Sequence, residues 1–139
     1  MPDLAFAKAA SIPMLQTLGI KLLESSERHA VMEVIVDQRH ANFYGGTHGG
    51  LLATLADTAC FFPQPLIPSG KQVATVSLSL NYMRPVRIGE HLRSRADLMR
   101  LGKRTANLSI SILDDEGVQV VHGTSVLMII GEASESSPA

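Results

Sequence analysis

Asp57 is the only formally charged side chain between His48 and Phe62. Around it Leu51, Leu52, Leu55, Ala59 and Phe62 recur at helical spacing and form one apolar stripe. A surface helix normally sets a charged face opposite such a stripe. Here that face holds Gly50, Ala53, Thr54, Asp57 and Phe61, which are too small or apolar to be fully solvated. Asp57 is therefore expected at a partly desolvated site lined by protein, a setting in which carboxylates often do chemistry. Burial would raise its pKa, and hydrogen bonds or a helix N-terminus would lower it. The sequence leaves that balance open, as it does the simpler reading of an exposed or capping Asp. Gly49 and Gly50 fall in the first turn, where backbone N–H groups have no intrahelical partner. The helix end acts like roughly half a positive charge. A preorganised N–H there could hold a developing oxyanion, a contact typically worth about 3–4 kcal/mol. The plainer role of the two glycines is tight turning and close packing.

Other chemistry is poorly supplied. The five histidines, His29, His40, His48, His91 and His122, lack paired spacing for zinc, and Cys60 is the only cysteine. No metal or other cofactor is expected. There is no phosphate loop and no dinucleotide glycine motif. There is also no Gly-x-Ser-x-Gly elbow to go with His48-Gly49-Gly50. Cys60 lies mid-helix between Ala59 and Phe61 with no evident base, the place of a small buried hydrophobe.

The elements that must position Asp57 and Gly49 read as follows. Residues 3–18 form a short helix, interrupted by Pro13 and closed by Gly19. Residues 19–24 and 29–36 pair as a hairpin, and 37–47 is a loop containing Asn42 and Gly45-Gly46. The central helix runs from His48 to about Phe62 and is stopped by Pro63 and Pro65. In the strand from Val73 to Tyr82, Val76, Leu78, Leu80 and Tyr82 point one way, and Thr75, Ser77, Ser79 and Asn81 the other. His91–Met99 alternates through Leu92, Ser94, Ala96 and Leu98, and Thr105–Leu113 through Ala106, Leu108, Ile110 and Ile112. Asp114-Asp115-Glu116-Gly117 is a hairpin turn, and Val118–Ile130 is the last strand. The four long strands read as a meander of antiparallel neighbours. The fold class is α+β: a strongly curled antiparallel β-sheet wrapped around a long central helix. One domain spans residues 1–139, with a core over about 14–130 and a frayed tail over 131–139.

Composition narrows the partners. Twelve Lys and Arg against thirteen Asp and Glu argue against a nucleic-acid binder, and 4% aromatic residues against a base-stacking platform. No run of about 18 apolar residues exists for a membrane span, and the first fifteen residues do not read as a signal peptide. A single cysteine fits a reducing, cytoplasmic setting. The covered helix face points to a second copy of the chain, most simply in a twofold dimer.

The run Asn42-Phe43-Tyr44-Gly45-Gly46-Thr47-His48-Gly49-Gly50, followed by Leu55-Ala56-Asp57, resembles the hotdog-fold thioesterases of the phenylacetate-pathway type. That group includes mammalian thioesterase superfamily member 2. Its signature is an Asn, a His-Gly-Gly six residues on, and an Asp nine residues after the His. Thr75-Val-Ser-Leu-Ser-Leu-Asn-Tyr-Met-Arg-Pro85 resembles the family's strand after the helix, and the likeness covers about Met14 to Ile130.

The resemblance implies an acyl-CoA thioesterase, a homodimer or dimer-of-dimers tetramer, working without a cofactor. Asp57 would be nucleophile or general base, and the Gly49 N–H the oxyanion donor, the two coming from opposite subunits. Asn42 would sit near the thioester or the water, His48 would support the loop, and the Thr75 hydroxyl would help hold the water. Gly50 is a further candidate for substrate contact. Arg84 and the turn Gly102, Lys103 and Arg104 are candidates for the phosphates of CoA, although exposed cations are also common at turns. The Pro-rich loop Phe61–Gly70 departs from the pattern and is expected to border the acyl pocket, so the acyl group stays open. Two other readings remain: a non-catalytic acyl-CoA sensor or accessory protein, and a hotdog dehydratase or hydratase, for which the usual pairing of a His with an acidic residue is not evident.

Overall fold

The computed structural model describes residues 2–67 and 71–132. The chain begins with two short helices, α1 (Pro2–Ala10) and α2 (Pro13–Leu18). The break between them falls where Pro13, with no N–H to give, takes the first turn of α2. Gly19 ends α2 at φ 74°, a left-handed conformation suited to glycine. Ala5 and Ala9 of α1 are buried, so the core begins earlier in the chain than the expected residue 14.

Strands β1 (Lys21–Ser25), β2 (His29–Ile35), β3 (Lys71–Tyr82), β4 (His91–Leu101), β5 (Thr105–Leu113) and β6 (Gln119–Glu132) form one antiparallel sheet. Helix α3 (Gly49–Ala59) packs on its inner face. An eleven-residue helix is marginal alone. Burial of Leu51, Leu52 and Leu55, at about 1.5–3 kcal/mol each, makes tertiary packing the term that holds it. The expected alternation of β4 and β5 is observed: Leu92, Ser94, Ala96 and Leu98, then Ala106, Leu108, Ile110 and Ile112, all face the core. The hairpin turn at 114–117 closes with Asp114 Oδ1 accepting from the Glu116 and Val118 N–H groups and with Gly117 at φ 79°. The last strand continues through Gly131 to Glu132, and the tail beyond it lies outside the described residues.

Two expectations about β3 need correction. The sheet order is β1-β2-β4-β5-β6-β3, so only β4, β5 and β6 form a meander. Both edges of β4 are taken, one by β2 and one by β5, which leaves β3 the free edge of β6. The chain then crosses the end of the sheet through residues 83–90. Buried Val86 pins this crossing, its carbonyl accepting from Thr47 N at 3.2 Å and Thr47 Oγ1 at 2.8 Å.

The second correction concerns facing. The β3–β6 register slips between Thr75 and Ser77, leaving Val76 in a bulge and 57% exposed. An extra residue reverses the alternation. Thr75 therefore faces the helix on the same side as Leu78 and Leu80, not opposite them.

Candidate active site

His48 begins α3 as its N-cap, and its Nδ1 accepts the Gly50 N–H at 2.8 Å. The cap thus takes the second amide of the turn. The Gly49 N–H has no partner among the described residues and remains available to an outside acceptor. On the other side of the same turn, the Tyr82 hydroxyl donates to the Gly49 carbonyl at 2.8 Å. A Cβ at Gly49 would come within 3.2 Å of the Tyr82 ring, so the glycine is what allows this approach. Partial burial raises the Tyr82 pKa and keeps the phenol a donor.

The loop before the helix is braced at several points. His40 is buried; its Nδ1 accepts the Asp37 N–H at 2.9 Å, and its Nε2 meets the Leu18 carbonyl at 2.8 Å. The His40 carbonyl in turn accepts the His48 N–H at 2.8 Å. Asn42 Oδ1 accepts the Tyr44 and Gly46 N–H groups at 2.9 and 3.0 Å. In this chain the Asn42 side chain shapes the loop, with Gly45 turning at φ 88°.

Asp57 lies two turns further along α3, half-buried, and its Oδ1 accepts the Thr75 hydroxyl at 2.8 Å. Oδ2 has no partner among the described residues and is available to a substrate or water. Eight residues separate Gly49 from Asp57, about 12 Å along a helix. One carbonyl group cannot touch both groups of the same chain. The chain therefore offers two half-sites: an amide end with Gly49 and Tyr82, and a carboxylate end with Asp57 and Thr75.

The cationic candidates separate as well. Arg84 is clamped: Nη2 donates to Glu90 Oε1 at 2.8 Å and Asp114 Oδ2 at 2.7 Å, and Nη1 donates to Glu90 Oε2 and the Pro85 carbonyl. These bonds hold Glu90 and Asp114 below their usual carboxylate range. Arg84 thus ties the crossing loop to the β5–β6 turn instead of presenting a free cation to a phosphate. Lys103 and Arg104 are exposed in the β4–β5 turn, with no ion pair among the described residues. The Gly102 N–H donates to the Thr105 carbonyl to close that turn. Gly102 and Lys103 line a cleft of about 260 Å³ with Leu66 and Val73, at the carboxylate end of β3. Arg84 lies beyond the opposite end, about 30 Å away along an extended strand.

Cys60 is not a competing nucleophile. Burial, and secondarily the Asp57 charge, push its thiol up to about 12, and its S–H donates to the Ala56 carbonyl. Tyr82 and His40 are the two positioning residues that sequence reasoning missed. By sequence Tyr82 belongs only to an apolar strand face, and His40 only to a set of histidines without metal-ligand spacing. The one available sign was the Gly49-Gly50 pair, since consecutive glycines at a helix start suggest that another group approaches closely.

A curled antiparallel sheet around one long helix, with a free amide and a carboxylate on that helix, is the hotdog architecture. The profile of the thioesterase superfamily matches residues 44–121, more than half of the chain, and the chain belongs to that family. It is 29% identical over 101 residues to the acyl-coenzyme A thioesterase PaaI of Escherichia coli, covering 73% of this chain and 71% of that one. It is 29% identical over 93 residues to mouse acyl-coenzyme A thioesterase 13, covering 67% of this chain and 66% of the relative's length. The solved structure of the E. coli PaaI protein from the phenylacetic acid degradation operon superposes with a TM-score of 0.84, covering 94% of each chain at 24% identity, a likeness of fold. No helix among the described residues is long and apolar enough to cross a membrane.

Proposed function

We propose that the protein hydrolyses acyl-CoA thioesters to the free acid and CoA, with Asp57 and Gly49 supplied to each reaction centre by different subunits of a homodimer or of a dimer-of-dimers tetramer. The observation that carries this reading is the pairing of two preorganised but unsatisfied groups on one helix. Asp57 is oriented by Thr75 with one oxygen free, and the Gly49 N–H is left free by the His48 cap. Their separation along α3 requires a second copy to complete a centre. The outer edge of β3, unpaired among the described residues, offers a surface for one, since long open edges are normally covered.

In such a centre the Gly49 N–H hydrogen-bonds the thioester carbonyl oxygen and stabilises the charge that grows there. Asp57 then acts in one of two ways. As a nucleophile it adds to the carbonyl carbon, CoA leaves as thiolate, and water cleaves the resulting anhydride. As a general base it takes a proton from the water that adds directly. The Thr75 hydroxyl holds the carboxylate in line for either. Asn42 and His48 keep the loop and helix start in place, and Gly50 makes room for the capping His48 ring, whose Nδ1 a Cβ there would meet at 2.8 Å. Lys103 and Arg104, exposed and uncompensated, are the groups this reading assigns to CoA phosphates. No cofactor takes part, and the cell compartment assigned is the cytoplasm.

The test is Asp57→Asn, assayed by free-thiol release over a panel of acyl-CoA esters, with circular dichroism to check the fold. Turnover is expected to fall by roughly two to four orders of magnitude. Unchanged turnover of every ester hydrolysed by the unaltered protein would remove Asp57 from the chemistry.

A further inference from the structure

Beside the carboxylate half-site lies a second cleft, of about 520 Å³, walled by α1, the end of α3 and the start of β3. Thr58 of its wall follows Asp57 on α3, Phe61 lies two residues past the end of that helix, and Val73 precedes Thr75 by two residues on the same strand. Phe62 and Ile67 complete an apolar lining. The residues that flank the Asp57–Thr75 pair in sequence thus also line a groove leading away from it. Lys8 of α1 is the one formally charged residue in this lining, and it makes no ion pair among the described residues.

We propose that this cleft receives the acyl chain of the substrate, and that Lys8 favours chains carrying an anionic group at the far end. The inference rests on the hydrolytic reading above. An apolar groove walled by sequence neighbours of Asp57 and Thr75 suits the chain of the ester, whereas the charged CoA portion suits the exposed Lys103 and Arg104. An acyl chain running along Phe61 and Val73 buries its methylenes against them. Its far end then arrives at α1, where the exposed ammonium of Lys8 can pair with a carboxylate at the rim of the cleft. Binding pockets commonly combine an apolar body with a small number of polar groups that set specificity in this way.

Two CoA esters of equal chain length test the proposal, one ending in a methyl group and one in a carboxylate. Lys8→Met keeps the aliphatic stem and removes the charge. It is expected to lower kcat/KM for the carboxylate-ended ester about three- to fivefold and to leave the methyl-ended ester unchanged. Ile12→Phe narrows the cleft from its other wall and is expected to reduce turnover of both long esters while sparing acetyl-CoA, which also shows that the variant folds. Equal effects of Lys8→Met on the two long esters, or none on either, would overturn the role of Lys8. Long-chain turnover untouched by Ile12→Phe would overturn the cleft. If the unaltered protein releases thiol from no ester, it is the hydrolytic reading that falls. Thermal shifts then decide the cleft: stronger stabilisation by the carboxylate-ended ester, lost in Lys8→Met, upholds it, and equal shifts with and without Lys8 reject it.

Discussion

The Tyr82 hydroxyl donates to the Gly49 carbonyl at 2.8 Å, while His48 Nδ1 takes the Gly50 N–H of the same peptide group. One peptide unit is thus gripped at both ends, and the amide immediately before it is left free. Tyr82→Phe removes only the oxygen and keeps the ring against Gly49. It is expected to lower kcat about three- to tenfold with little change in KM, and to cost about 1 kcal/mol of stability. Steady-state kinetics and denaturant melts read the two effects separately. An equal loss in Gly49-independent behaviour, seen as a raised KM with unchanged kcat, would place Tyr82 in binding instead.

Thr75 is tested by the hydroxyl it brings to Asp57. Thr75→Ser keeps that group and is expected to keep most of the activity. Thr75→Val keeps the shape and loses the bond to a charged partner, a change of about 1.5–3 kcal/mol, or roughly 10- to 100-fold in kcat/KM. Parallel assays of the pair separate the hydrogen bond from packing.

Arg84 is expected to behave as a structural residue. Arg84→Met should lower the Tm while leaving KM for acyl-CoA within about twofold, because its donors are already taken by Glu90 and Asp114. The loss should depend on pH. Both carboxylates have lowered pKa values in the folded state, so their contribution is present above the unfolded carboxylate range and disappears as pH falls through the folded values. The gap in Tm between wild type and Arg84→Met should therefore close in acid. A large rise in KM instead would return Arg84 to the substrate.

His91 titrates the other way. Its ring lies between Glu33 Oε1 and Asp115 Oδ1, each at 2.6 Å, and these carboxylates raise its pKa. A raised histidine contributes stability that is fully present below the unfolded value of about 6.5 and is lost as pH rises through the folded value. Against His91→Gln, wild type should hold its largest Tm advantage at mildly acidic pH and lose it in alkali. Melts across that range check the sign.

The particular residues show what the sequence could reveal. Periodicity alone located the inward faces of β4 and β5, because alternation is unbroken over Leu92–Leu98 and Ala106–Ile112, the β4 bulge coming only after Leu98. It failed at β3, where the bulge at Val76 adds one residue and turns Thr75 inward; no residue type in that stretch marks the slip. Short connections suggested sequential neighbours. The pairing of β2 with β4 is a long-range choice that local pattern does not encode, and it moved β3 to the far edge. At the site, the isolated Asp57 and the Gly49-Gly50 pair were visible because both break the usual pattern of a surface helix. The engagement of Arg84 was not, since its carboxylate partners lie six and thirty residues away and meet it only across the crossing loop.

The spacing of the two half-sites along α3 also affects inheritance and engineering. In the proposed assembly a protomer lacking Asp57 still lends its Gly49 to a neighbour, and one altered at Gly49 still lends its carboxylate. Two dead proteins, unfolded together and allowed to reassociate at random, would form mixed pairs in which one of the two centres is whole. About a quarter of normal activity should then reappear from components that have none apart.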